Sequence, residues 1–405
     1  MIRPRTDRPI EAGDGSADPP PPTDAIEGLR PTWLQVDLDA LADNLSALRR
    51  RVAPARVIAV VKADAYGHGA VAVARRLEAE RVDALAVATA EEGLELRAAG
   101  LRSPILVMGA VSPGQLPALW SEQIVPTAYS LGSLEAILAE GRRLGRAVTF
   151  HLKLDSGMGR LGLLPEQVPD AYARLMAARE HATLDGLMTH LSCSDDPDDP
   201  HTTQQLSTFT GLVERARALG LTPRWVHAAS SGAILDYPAT WFDAVRPGIA
   251  LYGIHPSPRS SRLDLMPILS FRTRLILVKQ LPAGRPVGYG HAFVTQRPSV
   301  IGTVAAGYAD GIGRAVYGSG SALVRGRRAP YAGRVSMDSA ALDLTDVPGA
   351  AEGDEVVLVG RQGQEEITVA EMADWSGTIP YEVLCRLGPR VARLHQQGGA
   401  RQKTL

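Results

Sequence analysis

"VIAVVKADAYGHGAVAV" (Val57–Val73) reads as a strand that stops at a charge, turns through glycines and enters a helix. A short apolar run rich in branched residues, followed by a segment of helical spacing, is one unit of a sheet buried on both faces. The pattern recurs along the chain. Further runs begin at "ALAVA" (84), "PILVMG" (104), "IVPTAY" (124), "AVTFHLKL" (147), "LDGLMTH" (184), "RWVHAAS" (224) and "DAVRPGIALYG" (243). Helical segments lie between them: in "LGSLEAILAEGRRLG", Leu134, Ile137 and Leu138 share one face, and "TTQQLSTFTGLVERARALG" ends on glycine, as helix C-termini often do. Eight such units match a closed (β/α)8 barrel of the TIM type. An open doubly wound sheet has the same local alternation, but the chain lacks the glycine-rich dinucleotide loop that would favour it.

The flanks differ. Residues 1–30, "MIRPRTDRPIEAGDGSADPPPPTDAIEGLR", hold proline, glycine and acidic residues with no apolar core, so a disordered tail is expected and a secretory signal is not. "WLQVDLDALADNLSALRRRV" predicts a strand over 32–38, an Asp39 cap, and a helix with Leu41, Leu45 and Leu48 on one face. That first strand can pack with either domain. The barrel is expected over 31–266. Beyond it, "VGYGHAF", "SVIGTVAAGYADG", "SALVRGRRAPYAG", "DSAALDLTDV" and "GDEVVLVG" are short strands between glycine and proline turns, which predicts a C-terminal β-rich domain over 267–398 and a tail over 399–405.

Composition narrows the function. At 405 residues, 45% hydrophobic, with a net charge of −1, the chain carries no basic field for nucleic acid and no apolar run long enough for a membrane helix. Its two cysteines, Cys193 and Cys385, are far apart and read as free thiols of a reducing compartment, which fits the cytoplasm. No metal motif is present. The aspartates of "SCSDDPDDPH" are broken by prolines and read as a solvated loop.

Lysine usage is the sharper signal. Of 43 basic residues only Lys62, Lys153, Lys279 and Lys403 are lysine. A desolvated lysine becomes a neutral nucleophile and base, whereas arginine keeps its proton. Lys62 stands just past a barrel strand, where such folds place reactive groups, and the glycines after Tyr66 predict a loop there. Lys153 ends another strand, in "HLKLDSGMGRLG". It is either catalytic or paired with a carboxylate such as Asp155 or Asp64. His190 ends the sixth strand. Ser231, Gly248 and Ile249 lie in the loops after the seventh and eighth, where these barrels hold phosphate, and Arg246 serves that phosphate or lies deeper in the mouth.

In order, "AVVKADAYGHG", "LKLDSGMGRLG", "HAASSGA", "VRPGIALYG", "VGYGHAF", "GYADGIGR", "GRVSMD" and "IPYEVLCRLG" resemble the motifs of the alanine racemase family, over about residues 32–396. The resemblance implies a fold-type III pyridoxal-phosphate enzyme, a homodimer with shared active sites, interconverting L- and D-alanine. In a bacterium that product feeds peptidoglycan. It implies that Lys62 forms the Schiff base with pyridoxal 5'-phosphate and that Tyr289 acts from the second subunit. Arg160 and Met337 would bind the substrate carboxylate. Tyr66, Ser231, Gly248 and Ile249 would contact phosphate, and Arg246 the pyridine nitrogen. His190, His227 and Asp338 would support them, and Lys153 matches a lysine carbamylated in some members. Two positions depart from the family: Pro389 stands where many members have tyrosine, and Ser230 where asparagine is frequent. These admit an alternative, a racemase of broader specificity acting on serine. A pyridoxal-phosphate carrier without turnover is disfavoured by Tyr289 and Met337.

Overall fold

The structure is a computed structural model that describes residue 28 and residues 30–398. The expected tails, apart from Gly28 and Arg30, lie outside the described residues. The described residues form two units, one of residues 34–269 with 377–398 and one of residues 28 and 30–33 with 270–376.

The first unit is the barrel. After β1 (Thr32–Asp37) come β2 (Arg56–Val60), β3 (Ala84–Val87), β4 (Ile105–Val107), β5 (Ile124–Val125), β6 (Thr127–Ala128), β7 (Val148–Lys153), β8 (Ala182–Met188), β9 (Trp225–His227) and β10 (Ala244–Val245). The sheet runs β5-β4-β3-β2-β10-β9-β8-β7-β6, all parallel. Its two ends, β5 and β6, are one stretch of chain interrupted at Pro126. Proline has no N–H for the ladder, but its carbonyl accepts from the His151 N–H at 2.9 Å. Nine short strands therefore fill eight positions, and the predicted barrel is present with its helices.

Burial explains the strand sequences: β2 and β3 are buried almost throughout, as strands covered on both faces must be. The helix Leu38–Val52 begins two residues earlier than expected, because Asp37, not Asp39, caps it. Its carboxylate accepts from the N–H groups of Asp39 and Ala40 at 2.9 and 2.8 Å. Leu41, Leu45 and Leu48 are buried as the spacing predicts, and so are Leu134, Ile137 and Leu138 in the helix Leu131–Leu144.

The second unit is β-rich. β11 (Leu269–Leu281) is long enough to serve two ladders. Residues 271–274 pair with β18 (Glu355–Gln362), and residues 275–281 with β14 (Ser299–Val304). β12 (Pro286–Val287) and β13 (Phe293–Val294) form a hairpin, β15 (Ser321–Val324) pairs with β16 (Arg327–Pro330) and β18, β17 (Ala340–Asp343) with β14, and β19 (Glu365–Ile367) with β18. Leu323, Val357 and Ile367 are fully buried together under Trp375.

Residues 377–398, including β20 (Ala392–Gln396), group by their contacts with the barrel. Their side chains explain the grouping: Arg393 donates to the Gly67 carbonyl at 3.1 Å, and Nε2 of His395 bonds the His68 carbonyl at 2.8 Å.

Candidate active site

Lys62 ends β2's exit and opens a tight turn. The sequence suggested an irregular loop; instead Ala63, Asp64, Ala65 and Tyr66 all have φ between 52 and 55°, a left-handed helical turn. Each non-glycine residue in that region costs about 1–2 kcal/mol. Two carboxylates hold it in place: Glu92 accepts from the Ala63 N–H at 2.7 Å, and Asp64 from the Ala70 N–H at 2.7 Å. The turn delivers Tyr66, buried against Tyr252 at 5.0 Å and Tyr381 at 6.1 Å between ring centres. Lys62 is half-buried, and burial first, then the charge of Arg160, lowers its amine's pKa below the ordinary lysine value. Its ammonium form is therefore less favoured than that of an ordinary exposed lysine.

Beside it, Ser231 and the turn after β10 converge. Ser231 Oγ accepts from the N–H groups of Gly248 and Ala250 at 3.0 and 3.2 Å. A Cβ on Gly248 would lie 2.3 Å from the Tyr66 hydroxyl, so the phenol sits directly on the glycine backbone. Tyr66, Ser231, Gly248 and Ile249 thus come from three loops to one place. Two hydroxyls beside the backbone of a tight turn suit a phosphate dianion.

Arg246 is buried (3% exposed) and spends its donors on neutral acceptors: Nδ1 and O of His227 at 2.8 and 2.9 Å, O of Thr189 at 2.7 Å, and O of Ala228 at 3.0 Å. His190 Nδ1 lies 3.4 Å away. No described carboxylate pairs with it. Burial alone lowers Arg246 to about 10. Burial, then Arg246, hold both His190 and His227 well below the ordinary histidine value, so both rings are neutral.

Lys153 is buried too, and the expected pairing with Asp155 or Asp64 is absent. Asp155 Oδ1 instead accepts from the N–H groups of Gly157, Met158 and Gly159 at 2.9, 2.8 and 3.1 Å, and Oδ2 from Arg160 at 3.2 Å. It shapes the loop that carries Arg160. Asp64 faces Ala70 and, at 3.4 Å, Arg393. Burial first, then Arg246 and Arg160, lower the Lys153 amine to about 8. The site is cationic and contains two amines whose pKa values are lowered by burial and by neighbouring guanidinium groups.

Tyr289, Met337 and Asp338 belong to the β-rich unit. Tyr289 follows the β12 strand, whose Val287 carbonyl would lie 2.7 Å from a Cβ on Gly333, so the "VGYG" and "GRVSMD" loops pack together. Tyr289 is 69% exposed and Met337 52% exposed. Among residues the sequence did not single out, Glu92 holds the turn that follows Lys62. A capping-box spacing marked it, in "TAEE".

A parallel barrel whose strand ends gather a depressed lysine, two hydroxyls at a tight glycine turn and a buried guanidinium defines a barrel enzyme with an appended β-rich unit. Family models agree: "Alanine racemase, N-terminal domain" matches residues 36–256 and "Alanine racemase, C-terminal domain" residues 268–395. An alanine racemase of Sorangium cellulosum is 44% identical over 91% of this chain and 100% of its own length. One of Symbiobacterium thermophilum is 42% identical over 91% and 98%. The crystal structure of alanine racemase from Streptomyces lavendulae superposes with a TM-score of 0.87 at 37% identity, covering 91% of this chain and 98% of that one. The chain belongs to the alanine racemase family, and its enzymatic activity is alanine racemisation.

Proposed function

We propose that this activity runs by two bases on opposite faces of alanine's α-carbon, with pyridoxal 5'-phosphate held by Lys62. Racemisation must remove a proton from one face and return one to the other. Nζ of Lys62 serves one face. The phenol of Tyr289, from a second copy of the chain, serves the other. The observation that carries this reading is the depressed Lys62 amine at the strand end, beside a cradle of Tyr66, Ser231, Gly248 and Ile249.

When bound, the cofactor supplies the electron sink for the charge left by the departing proton. The protein's own groups do the rest. Tyr66 Oη, Ser231 Oγ and the N–H groups of Gly248 and Ile249 would hold phosphate. Arg246, which keeps its proton, would face the ring nitrogen and leave it unprotonated, with His190 and His227 around it. The weaker sink that results disfavours decarboxylation and transamination. Arg160 and the backbone of Met337 would hold the substrate carboxylate, with Asp338 supporting that loop. The exposure of Tyr289 and Met337 on adjoining loops supports a homodimer in which each subunit completes its partner's site. A structure of the Bacillus anthracis enzyme, TM-score 0.85 at 34% identity, is described with bound L-Ala-P, which supports an amino-acid-shaped site.

Free cysteines and the lack, among described residues, of a helix able to cross a membrane support a cytoplasmic enzyme, supplying D-alanine for peptidoglycan. Purified protein given L-alanine and pyridoxal phosphate should form D-alanine; none formed by cofactor-loaded protein would reject the proposal. A side-by-side assay with serine measures the effect of Pro389 and Ser230.

A further inference from the structure

Arg246 is one end of a longer array. Its NH1 donates to Nδ1 of His227 at 2.8 Å; Nε2 of His227 lies 2.9 Å from Nδ1 of His151; and Nε2 of His151 faces Oδ2 of Asp185 at 3.6 Å. That last contact is longer than a hydrogen bond, but close enough for a carboxylate to orient an N–H dipole. Asp185 is anchored in turn by Arg224 at 3.1 Å.

The two ends fix the middle. Arginine only donates and a carboxylate only accepts. If Nδ1 of His227 accepts from Arg246, its proton is on Nε2 and is donated to Nδ1 of His151. The His151 proton is then on Nε2, facing Asp185. One tautomer of each ring satisfies every partner. The charged groups acting on the two rings are Asp185, Arg224 and Arg246. Burial, the largest influence on each, lowers both rings below the ordinary histidine value. Burial would raise the Asp185 carboxyl, but His151 and Arg224 outweigh it and hold it below the ordinary range.

Two features show that the array is built rather than incidental. A Cβ on Gly186 would lie 2.5 Å from the His151 ring, so that position must lack a side chain for the imidazole to fit. The β7–β8 register also shifts between Phe150 and His151, an irregularity that re-aims side chains.

We propose that His151 and Asp185 are positioning residues for racemisation, holding His227 in the Nε2–H tautomer so that Arg246 stays fixed. The inference rests on the reading of Arg246 given above. Without the carboxylate either ring can invert, setting an N–H of His227 against an N–H of Arg246.

The test is nuclear magnetic resonance of the cofactor-loaded full chain labelled with 15N-histidine, where two-bond correlations report the tautomer. In the wild type His151 and His227 should both be Nε2–H; either ring as Nδ1–H overturns the proposal, and this needs no variant. In Asp185→Asn, His227 should populate Nδ1–H, and kcat should fall about tenfold with little change in KM, the loss usual for an outer partner of a functional histidine. An unchanged His227 tautomer, with or without lower stability, overturns the proposal; so does a changed tautomer with unchanged kcat. Failure of the wild type to form D-alanine would instead reject the function above, leaving the tautomers to judge the array.

Discussion

The hydroxyl of Tyr66 fills the space above Gly248 that any side chain there would need, a Cβ lying only 2.3 Å from it. The two residues are far apart in sequence, and each would contribute to the same phosphate cradle. Gly248→Ala should therefore displace Tyr66, destabilise the protein by about 1–3 kcal/mol as overpacking does, and weaken pyridoxal-phosphate binding. Because the next nearest atom is the ring carbon bearing the hydroxyl, at 3.1 Å, Tyr66→Phe should relieve part of the clash. A double-mutant cycle on cofactor affinity measures this: Gly248→Ala should cost less in the Tyr66→Phe background. Additive costs would show that the contact does not govern binding.

Lys62 is proposed as both anchor and base, so Lys62→Ala should lose the absorption of linked cofactor and about 10²–10⁴-fold of activity through the lost proton transfer. Arg160→Gln gives a subtler check. Removing that positive charge takes away a cause of the depressed Lys62 pKa, so the ammonium becomes more favourable and the pKa rises. The acid limb of the kcat/KM profile should move to higher pH. A rise in KM with an unmoved limb would confine Arg160 to substrate binding.

Asp155 makes a different prediction, about stability. Burial would raise its pKa, but the four backbone N–H groups of residues 157–160 outweigh burial and hold it below the ordinary value. A carboxylate depressed on folding stabilises the protein in full above its unfolded pKa of about 3.9. The contribution is lost as pH falls through the folded value. Asp155→Asn should cost about 2–3 kcal/mol at neutral pH, as expected for hydrogen bonds to a charged acceptor. It should also flatten the acid end of the stability curve and raise KM by loosening Arg160. Urea unfolding across pH 3–7 reads the first two effects.

Much of this was legible in the sequence, for physical reasons that also explain what was not. Strands such as β2 announce themselves because burial on both faces demands unbroken apolar residues. Lys62 and Lys153 stood out against an arginine-rich background. Pro126 splits a strand that read as one, since a proline breaks the ladder without breaking the path of the chain. The left-handed turn at 63–66 could not be read, because alanine, aspartate and tyrosine have no local preference for it; Glu92, 29 residues away from Ala63, stabilises it. The same holds for Asp185 and His151. Their meaning lies in a tautomer fixed by partners from four separate segments, and no window of sequence contains that.

Lys153 remains to be explained as a buried cation among cations. Its ordinary pKa of 10.5 falls to about 8, by burial first and then by Arg246 and Arg160. At pH 7 the amine is protonated both folded and unfolded, so the folded state bears the whole penalty. Between about 8 and 10.5 the unfolded chain binds the additional proton, so stability should rise with pH across that window. Carbon dioxide offers another escape. The neutral Nζ attacks its carbon, a proton leaves to solvent, and the carbamate formed is an anion facing Arg160 and Arg246. We therefore expect bicarbonate at pH 8 to raise the melting temperature by about 2–4 °C, the shift that roughly 1 kcal/mol brings in a large domain. With 13C-bicarbonate a carbamate resonance should appear. In Lys153→Met both effects should vanish, whereas a resonance that persists in that variant would place the carbamate on another amine.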